Sequence, residues 1–359
     1  MFKIYQLHIF KKFFLKYIYF NIIFLALIII MGFLEEISFF KNLDKSIFYS
    51  LALTFLSAPS TLFEILPFIF LLSTQFLFFD LINNGELAIL KRNSLNNFNI
   101  IKNLFLFGIL IGIFNIVIFY NVSAIMKFHY LNIKNNFSND NKYLAMVTES
   151  GIWIKDNIDN KNLIIKSKKI DDNLLYDVII NEFNSNFELT RIIQSNKIDI
   201  ESKNWVIYDP MIITNNIKEF PSNKIFITTN FDKIRINNFF SDISTMNMID
   251  LYDSKTDLER LGYSSKEISI YLLKILMMPL NYGIIIILAS ILMFNVKRYN
   301  SFIFNLLLGI MISVSIYYLT FIFNALGNTG KISTQQSVFF PMLILSIISL
   351  IGVIKINEK

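Results

Sequence analysis

The chain has 359 residues, 54% of them hydrophobic, with a mean hydropathy of +0.52 and a formal net charge of +6. Soluble globular chains carry about 45–50% apolar residues, so the surplus points to a membrane. The absence of cysteine excludes disulfides, thiolate catalysis and Cys-based metal sites, and two distant histidines, His8 and His129, offer neither a metal site nor a Ser-His-Asp triad.

A helix needs about 20 apolar residues to cross the hydrocarbon core. Phe13–Leu34 meets this, interrupted only by Lys16 and Asn21. It is too long for a signal-peptide core and lacks a small-residue cleavage site, so it reads as a retained helix. Glu35, Glu36, Lys41 and Lys45 follow as an outer loop that is either solvated or close to lipid headgroups. Ser46–Phe79 reads as one long kinked span, with an interfacial turn before it. Its single charge, Glu64, lies between Pro59 and Pro67. Charge inside the bilayer is usually functional or paired; the alternative is that the helix begins later and leaves Glu64 near the interface.

The stretch from Leu81 to Arg92 predicts a short helix over about 82–93, lying along the membrane. Glu86 stands in its first turn, where the helix dipole favours a carboxylate. Gly85 precedes it, Leu87, Ile89 and Leu90 form an apolar edge, and Lys91 and Arg92 close the C-terminal end. Such a helix either docks into a partner or rests on lipid. Ile100–Val122 is the third span.

Residues 125–265 change character. They hold 19 of the 27 acids and several period-2 runs: Gly151–Lys155, Leu163–Lys166, Tyr176–Phe183, Ile198–Glu201, Trp205–Tyr208, Lys224–Thr228 and Ile234–Asn237. Breaks at Asp156–Asn162 and Asn184–Asn186 separate some of them, which predicts a β-sandwich or jelly roll. Residues 241–266 turn polar with helical spacing and lead back to the membrane. The fourth to sixth spans are Ile268–Phe294, Ser301–Phe323 and Val338–Ile354. Lys274, near the start of the fourth, snorkels to the headgroups or meets a lipid phosphate. Asn21, Asn115, Asn281, Asn305 and Asn324 suit hydrogen bonds between spans.

The expected fold is therefore α-helical and membrane-spanning with an inserted all-β, jelly-roll-like domain, divided as 1–124, 125–265 and 266–359. Orientation follows from positive charge. With both termini in the cytoplasm, the inner segments hold Lys3, Lys11, Lys12, Lys16, Lys91, Arg92, Lys102, Lys297, Arg298, Lys355 and Lys359, eleven cations against Lys41, Lys45 and Lys331 in the short outer loops. Residues 127–266 hold 18 Lys and Arg against 19 Asp and Glu, so the net charge is a topology signal and implies no nucleic-acid partner. Gly330-Lys331-Ile332 lacks the Ser/Thr and the upstream glycine of a P-loop, so no cofactor is expected on this chain and ATP would be used by another one.

Several of these residues resemble the LptF/LptG permease family of lipopolysaccharide exporters, over nearly the whole chain at the level of layout. Ser57-Ala58-Pro59 with Leu66-Pro67 is similar to the family's two-proline helix, and Gly85-Glu86-Leu87 to its coupling helix, whose acid engages an ATPase. Gly151–Asp156 resembles the first strand of the periplasmic domain, Lys274 with Pro279-Leu280 the opening of span four, and Gly327, Gly330 and Pro341 the last outer loop and span. The Trp153 strand and Leu261-Gly262 lean towards LptG.

The resemblance implies a non-enzymatic, multi-pass subunit of the bacterial inner membrane. It implies a heterodimer with an LptF-like permease, an LptB-like ATPase dimer, an LptC-like bridge protein, and lipopolysaccharide passed to the β-domain. One departure stands out: where family members often carry cations at the outer end of span one, this chain has Glu35 and Glu36, and Lys41 is the first cation. The rival reading is a non-transporting sensor or envelope-assembly protein; an intramembrane enzyme would need more ionisable groups than Glu64 and Lys274.

Overall fold

A computed structural model of the chain describes residues 3–41, 46–93, 95–137, 152–158, 161–171, 173–214, 217–221, 224–233, 236, 242–260, 263–294 and 302–357. It divides into a helical unit, Met1–Ile133 with Lys266–Lys359, and a second unit, Lys134–Ser265.

Among the described residues, six helices of the first unit are long and apolar enough to cross a membrane. The first is α1 (Ile4–Phe40) and the second α2 (Ile47–Asn83), joined to the short α3 (Glu86–Arg92). The third comprises α4 (Asn97–Phe114), a π-helical turn at Asn115–Tyr120 and α5 (Asn121–Asn136). After α6 (Met248–Arg260) of the second unit come α7 (Lys266–Phe294), α8 (Phe302–Asn328) and α9 (Thr334–Asn357).

Every span outruns its apolar stretch, because a helix already nucleated in lipid continues into water while polar side chains stay solvated. This corrects two expectations. Glu35 and Glu36 belong to α1 rather than to a loop; Glu36 is buried and accepts a hydrogen bond from Tyr130 Oη at 2.8 Å. The third span does not stop near Val122, and residues up to Asn136 that were assigned to the β-domain are helical. The second has helical geometry directly after Ser46, whose Oγ accepts from the amide of Phe48; residues 42–45, where an interfacial turn before it would fall, lie outside the described residues.

Pro59 and Pro67 lie inside α2. Near Pro59, Thr54, Ser57 and Ser60 each donate a hydroxyl to the carbonyl of the preceding turn, at Ser50, Thr54 and Ser57. Helices α2 and α7 form the centre of the bundle, with 61% of each spanning window buried. Phe70 stacks on Tyr282 between them, ring centroids 4.4 Å apart. Helix α4 approaches α7 closely because Gly112 carries no Cβ: one added there would lie 2.7 Å from Cα of Pro279.

The second unit contains one antiparallel sheet of nine strands among the described residues. These are β1 (Ile152–Ile158), β2 (Lys161–Ser167), β3 (Lys169–Asp171), β4 (Leu174–Phe183), β5 (Leu189–Asp199), β6 (Asn204–Tyr208), β7 (Met211–Thr214), β8 (Ile217–Glu219) and β9 (Ile225–Thr228). The main path runs β1-β2-β4-β5-β6-β9, with β3 on β4, and β7 on β5 and β8. The sheet curls about an apolar core of Ile154, Ile165, Ile180, Ile193, Ile207 and Trp205, so the helical membrane part with an inserted β-domain stands. Trp205 satisfies its Nε1–H by donating to the carbonyl of Phe231 at 2.7 Å.

Two details differ from expectation. The break at Asp156–Asn162 is narrower, since β1 runs to Ile158 and pairs Asn157 with Asn162. The Ile198–Glu201 run is only the tail of β5, which begins at Leu189. The turn at Asn184–Asn186 is built by Asn184, whose Oδ1 accepts from the amides of Asn186 and Glu188. Of Ile234–Asn237 only Ile236 is described, and Gly151 and Leu261-Gly262 also lie outside the described residues.

Candidate functional site

The short helix α3 is positioned by one residue. Helix α2 ends at Asn83, and Gly85 adopts φ +69°, ψ +6°, which reverses the chain before Glu86 starts the next helix. An L-residue with a Cβ pays about 1–2 kcal/mol in that left-handed region, and glycine does not. The helix therefore begins at Glu86 rather than at residue 82 as the apolar spacing suggested; Ile82 and Asn83 complete α2.

That reversal brings Glu86 against the start of α1. Its two carboxylate oxygens are divided between His8 Nε2 at 2.9 Å and Lys12 Nζ at 2.5 Å. Hydrogen bonds from His8, then from Lys12, hold the Glu86 carboxyl below its usual range. One turn along α1, Lys16 pairs with Asp80 of α2 at 2.6 Å. His8, Lys12 and Lys16 recur every fourth residue, so they line one face of α1. That ladder was visible in the sequence as spacing, but the lysines had served only as topology charges.

No residue of α3 is buried; Ile89 is exposed, and Leu87 and Leu90 are half-buried beside it. Lys91 lies 5.5 Å from the ring centroid of Phe294, at the end of α7. Arg92 is exposed, and the helix closes with the amide of Asn93 bonded to Ile89. Chemically the arrangement is a carboxylate held by two basic groups, which ties α3 to α1.

A protein-family model described as lipopolysaccharide export system permease LptF/LptG matches residues 7–355, nearly the full length. The chain belongs to the LptF/LptG family. No curated protein matches it.

In this LptF/LptG permease the remaining sequence candidates are scattered. Glu64 faces outward from α2, 17 residues after Ile47, so the helix does not begin late enough to place it at its end. Lys274 of α7 is partly buried and forms no ion pair with Glu64 among the described residues. Lys41 is the exposed C-cap of α1, and Lys45 lies outside the described residues. The structure does not gather Lys41 and Lys274 with Glu86. Among the asparagines, Asn115 engages Tyr17, its Nδ2 donating to the phenol oxygen at 2.9 Å. Gln75 and Gly309 had no sequence signal: Gln75 Nε2 donates to the carbonyl of Asn305 at 2.8 Å, tying α2 to α8.

Proposed function

We propose that this chain is the membrane half of an ATP-driven lipopolysaccharide exporter, with α3 as the element that receives force from a cytoplasmic ATPase. The observation that carries the coupling role is the clamp of His8 and Lys12 on Glu86. A push on α3 would be felt directly by α1. Only 11% of the spanning window of α1 and of α8 is buried within the chain, against 61% for α2 and α7. These two open helices suit the sides of a cavity shared with a second, LptF-like permease, through which the lipid enters laterally.

The excess of basic residues at the α3 end supports placing that end and both termini in the cytoplasm, and residues 134–265 in the periplasm. There the curled sheet would receive acyl chains, each buried CH₂ contributing about 0.8 kcal/mol, and meet an LptC-like bridge protein. The Trp153 strand supports the LptG side.

The decisive experiment replaces Glu86 by Gln and measures ATPase co-purification and lipopolysaccharide release. Loss of either supports coupling through α3, and wild-type values for both refute it. If affinity purification recovers no cytoplasmic ATPase, the sensor reading takes its place.

A further inference from the structure

Between α4, α7 and α9, beginning near the start of α4, lies an apolar groove of about 560 Å³. Phe105, Leu280, Met342 and Phe339 form its walls. The size falls within the roughly 300–1,000 Å³ of small-ligand sites. Three polar residues sit in this otherwise apolar surface, Lys102, Ser346 and Ser349, and two of them lack a partner among the described residues. Lys102 of α4 lines the groove, is exposed, and makes no ion pair among the described residues. Ser349 of α9 lines it too, is 2% exposed, and its Oγ has no hydrogen-bond partner among the described residues. A serine in a transmembrane helix ordinarily donates to the carbonyl one turn back, as the neighbouring Ser346 does to Met342 at 2.7 Å. Ser349 does not, which leaves a buried hydroxyl lacking a partner at the floor of the groove.

The two groups stand at related depths. Asn97 Nδ2 donates to the carbonyl of Ile356 at 3.2 Å, which fixes the level of α4 against the antiparallel α9. From that rung Lys102 is five residues along α4, about 7–8 Å, and Ser349 is seven residues along α9, about 10 Å. Ser349 is therefore the deeper by about 3 Å, and a lysine side chain reaches back toward the interface. A glycerophospholipid has this order of groups: phosphate outermost, ester carbonyls just beneath, acyl chain below.

We propose that the groove holds a glycerophospholipid of the leaflet on the α3 side, its phosphate on Lys102 Nζ, an ester carbonyl accepting from Ser349 Oγ, and one acyl chain along Phe105, Met342 and Phe339. One cation and one narrow groove match a lipid with one phosphate. The site is separate from the α3 clamp and does not rest on the coupling role. Its occupant would act as a structural lipid between the third, fourth and sixth spans.

The test uses the full-length chain, delipidated in detergent, with palmitoyl-oleoyl phosphatidylglycerol as probe and native mass spectrometry as readout, without ATP. One lipid should be retained, bound about tenfold more tightly than the corresponding diacylglycerol. Lys102→Ala should abolish that preference, and Lys102→Arg should keep it. Ser349→Ala should weaken retention of both lipids several-fold, and Met342→Trp, which fills the groove from its open side, should remove it. Equal binding of the two lipids by the unaltered chain, or wild-type retention by Lys102→Ala and Met342→Trp together, overturns the assignment. Displacement of the probe by equimolar lipopolysaccharide also overturns it, because the groove would then belong to the exported lipid.

Discussion

Replacing Glu86 by Gln removes the charge that His8 and Lys12 share and leaves a side chain of the same size. The Glu86 and Lys12 side chains are both 26% exposed, so each contact is partly screened. Pairs of that kind contribute about 0.5 kcal/mol each, and two give about 1 kcal/mol. One kcal/mol corresponds to roughly a fivefold change in an equilibrium constant. Helix α3 has seven residues and buries none of them, so it has little else to hold it in place. Local opening should therefore rise about fivefold, and amide hydrogen exchange over residues 86–93 is the direct assay. Lys12→Met should give about half of that change. The double variant should fall short of the sum, since both substitutions remove the same bond. Unchanged exchange in Glu86→Gln, or strict additivity with Lys12→Met, would refute the idea that α1 restrains α3.

The same clamp has a pH signature. The Glu86 carboxyl is lowered in the folded protein by His8 and Lys12, so its contribution is complete above the ordinary carboxylate value of about 4.3 and fades as pH falls below it. The exchange difference between wild type and Glu86→Gln should shrink as pH falls below about 4.3. In the β-domain, Arg191 holds Glu182 with two bonds of 2.6 Å, and the Glu182 side chain is 4% exposed. Arg191→Met leaves that carboxylate buried without its cation and should cost about 3 kcal/mol, read as an earlier loss of Trp205 fluorescence in urea. A Cβ on Gly309 would lie 2.3 Å from Gln75 Nε2, so Gly309→Ala should destabilise the helical unit by about 1–2 kcal/mol. Adding Gln75→Ala should recover part of this in a thermal-unfolding assay. Because the chain has no cysteine, Ser202→Cys, at an exposed position, can be labelled cleanly; an impermeant maleimide added outside the inner membrane should reach it.

The spans were legible because lipid leaves the backbone no alternative: a run of about 20 apolar residues has to be helical to satisfy its own amides. Their ends were not, since beyond the hydrocarbon the polar residues of Asn121–Asn136 and Glu35–Phe40 suit a solvated helix as well as a loop. Strands with clear alternation, such as β4 and β6, announced themselves. The three- and four-residue β3, β7 and β8 are too short for a period to show. At the candidate site Gly85 and Glu86 were readable as a turn residue and a first-turn acid. Their partners were not, because His8 lies 78 residues from Glu86 and only folding joins them. Ser349 illustrates the same limit: a serine in an apolar helix looks unremarkable until its hydroxyl is seen to lack a partner.

Helix α1 is an unbroken rod of 37 residues, about 55 Å at the usual rise, whereas the hydrocarbon layer is only about 30 Å thick. It contains no proline along that length. Its first turns are gripped by acids from α2 and α3, through Lys16 and through His8 with Lys12. Stiff throughout, such a rod would work as a long arm once the Glu36–Tyr130 bond at its other end yields: a tilt of about 10° at the grip, roughly 40 Å from Phe40, would carry the far end about 7 Å sideways. A small stroke at the base would thereby become, on the opposite face of the bilayer, a displacement wider than a hydrocarbon chain.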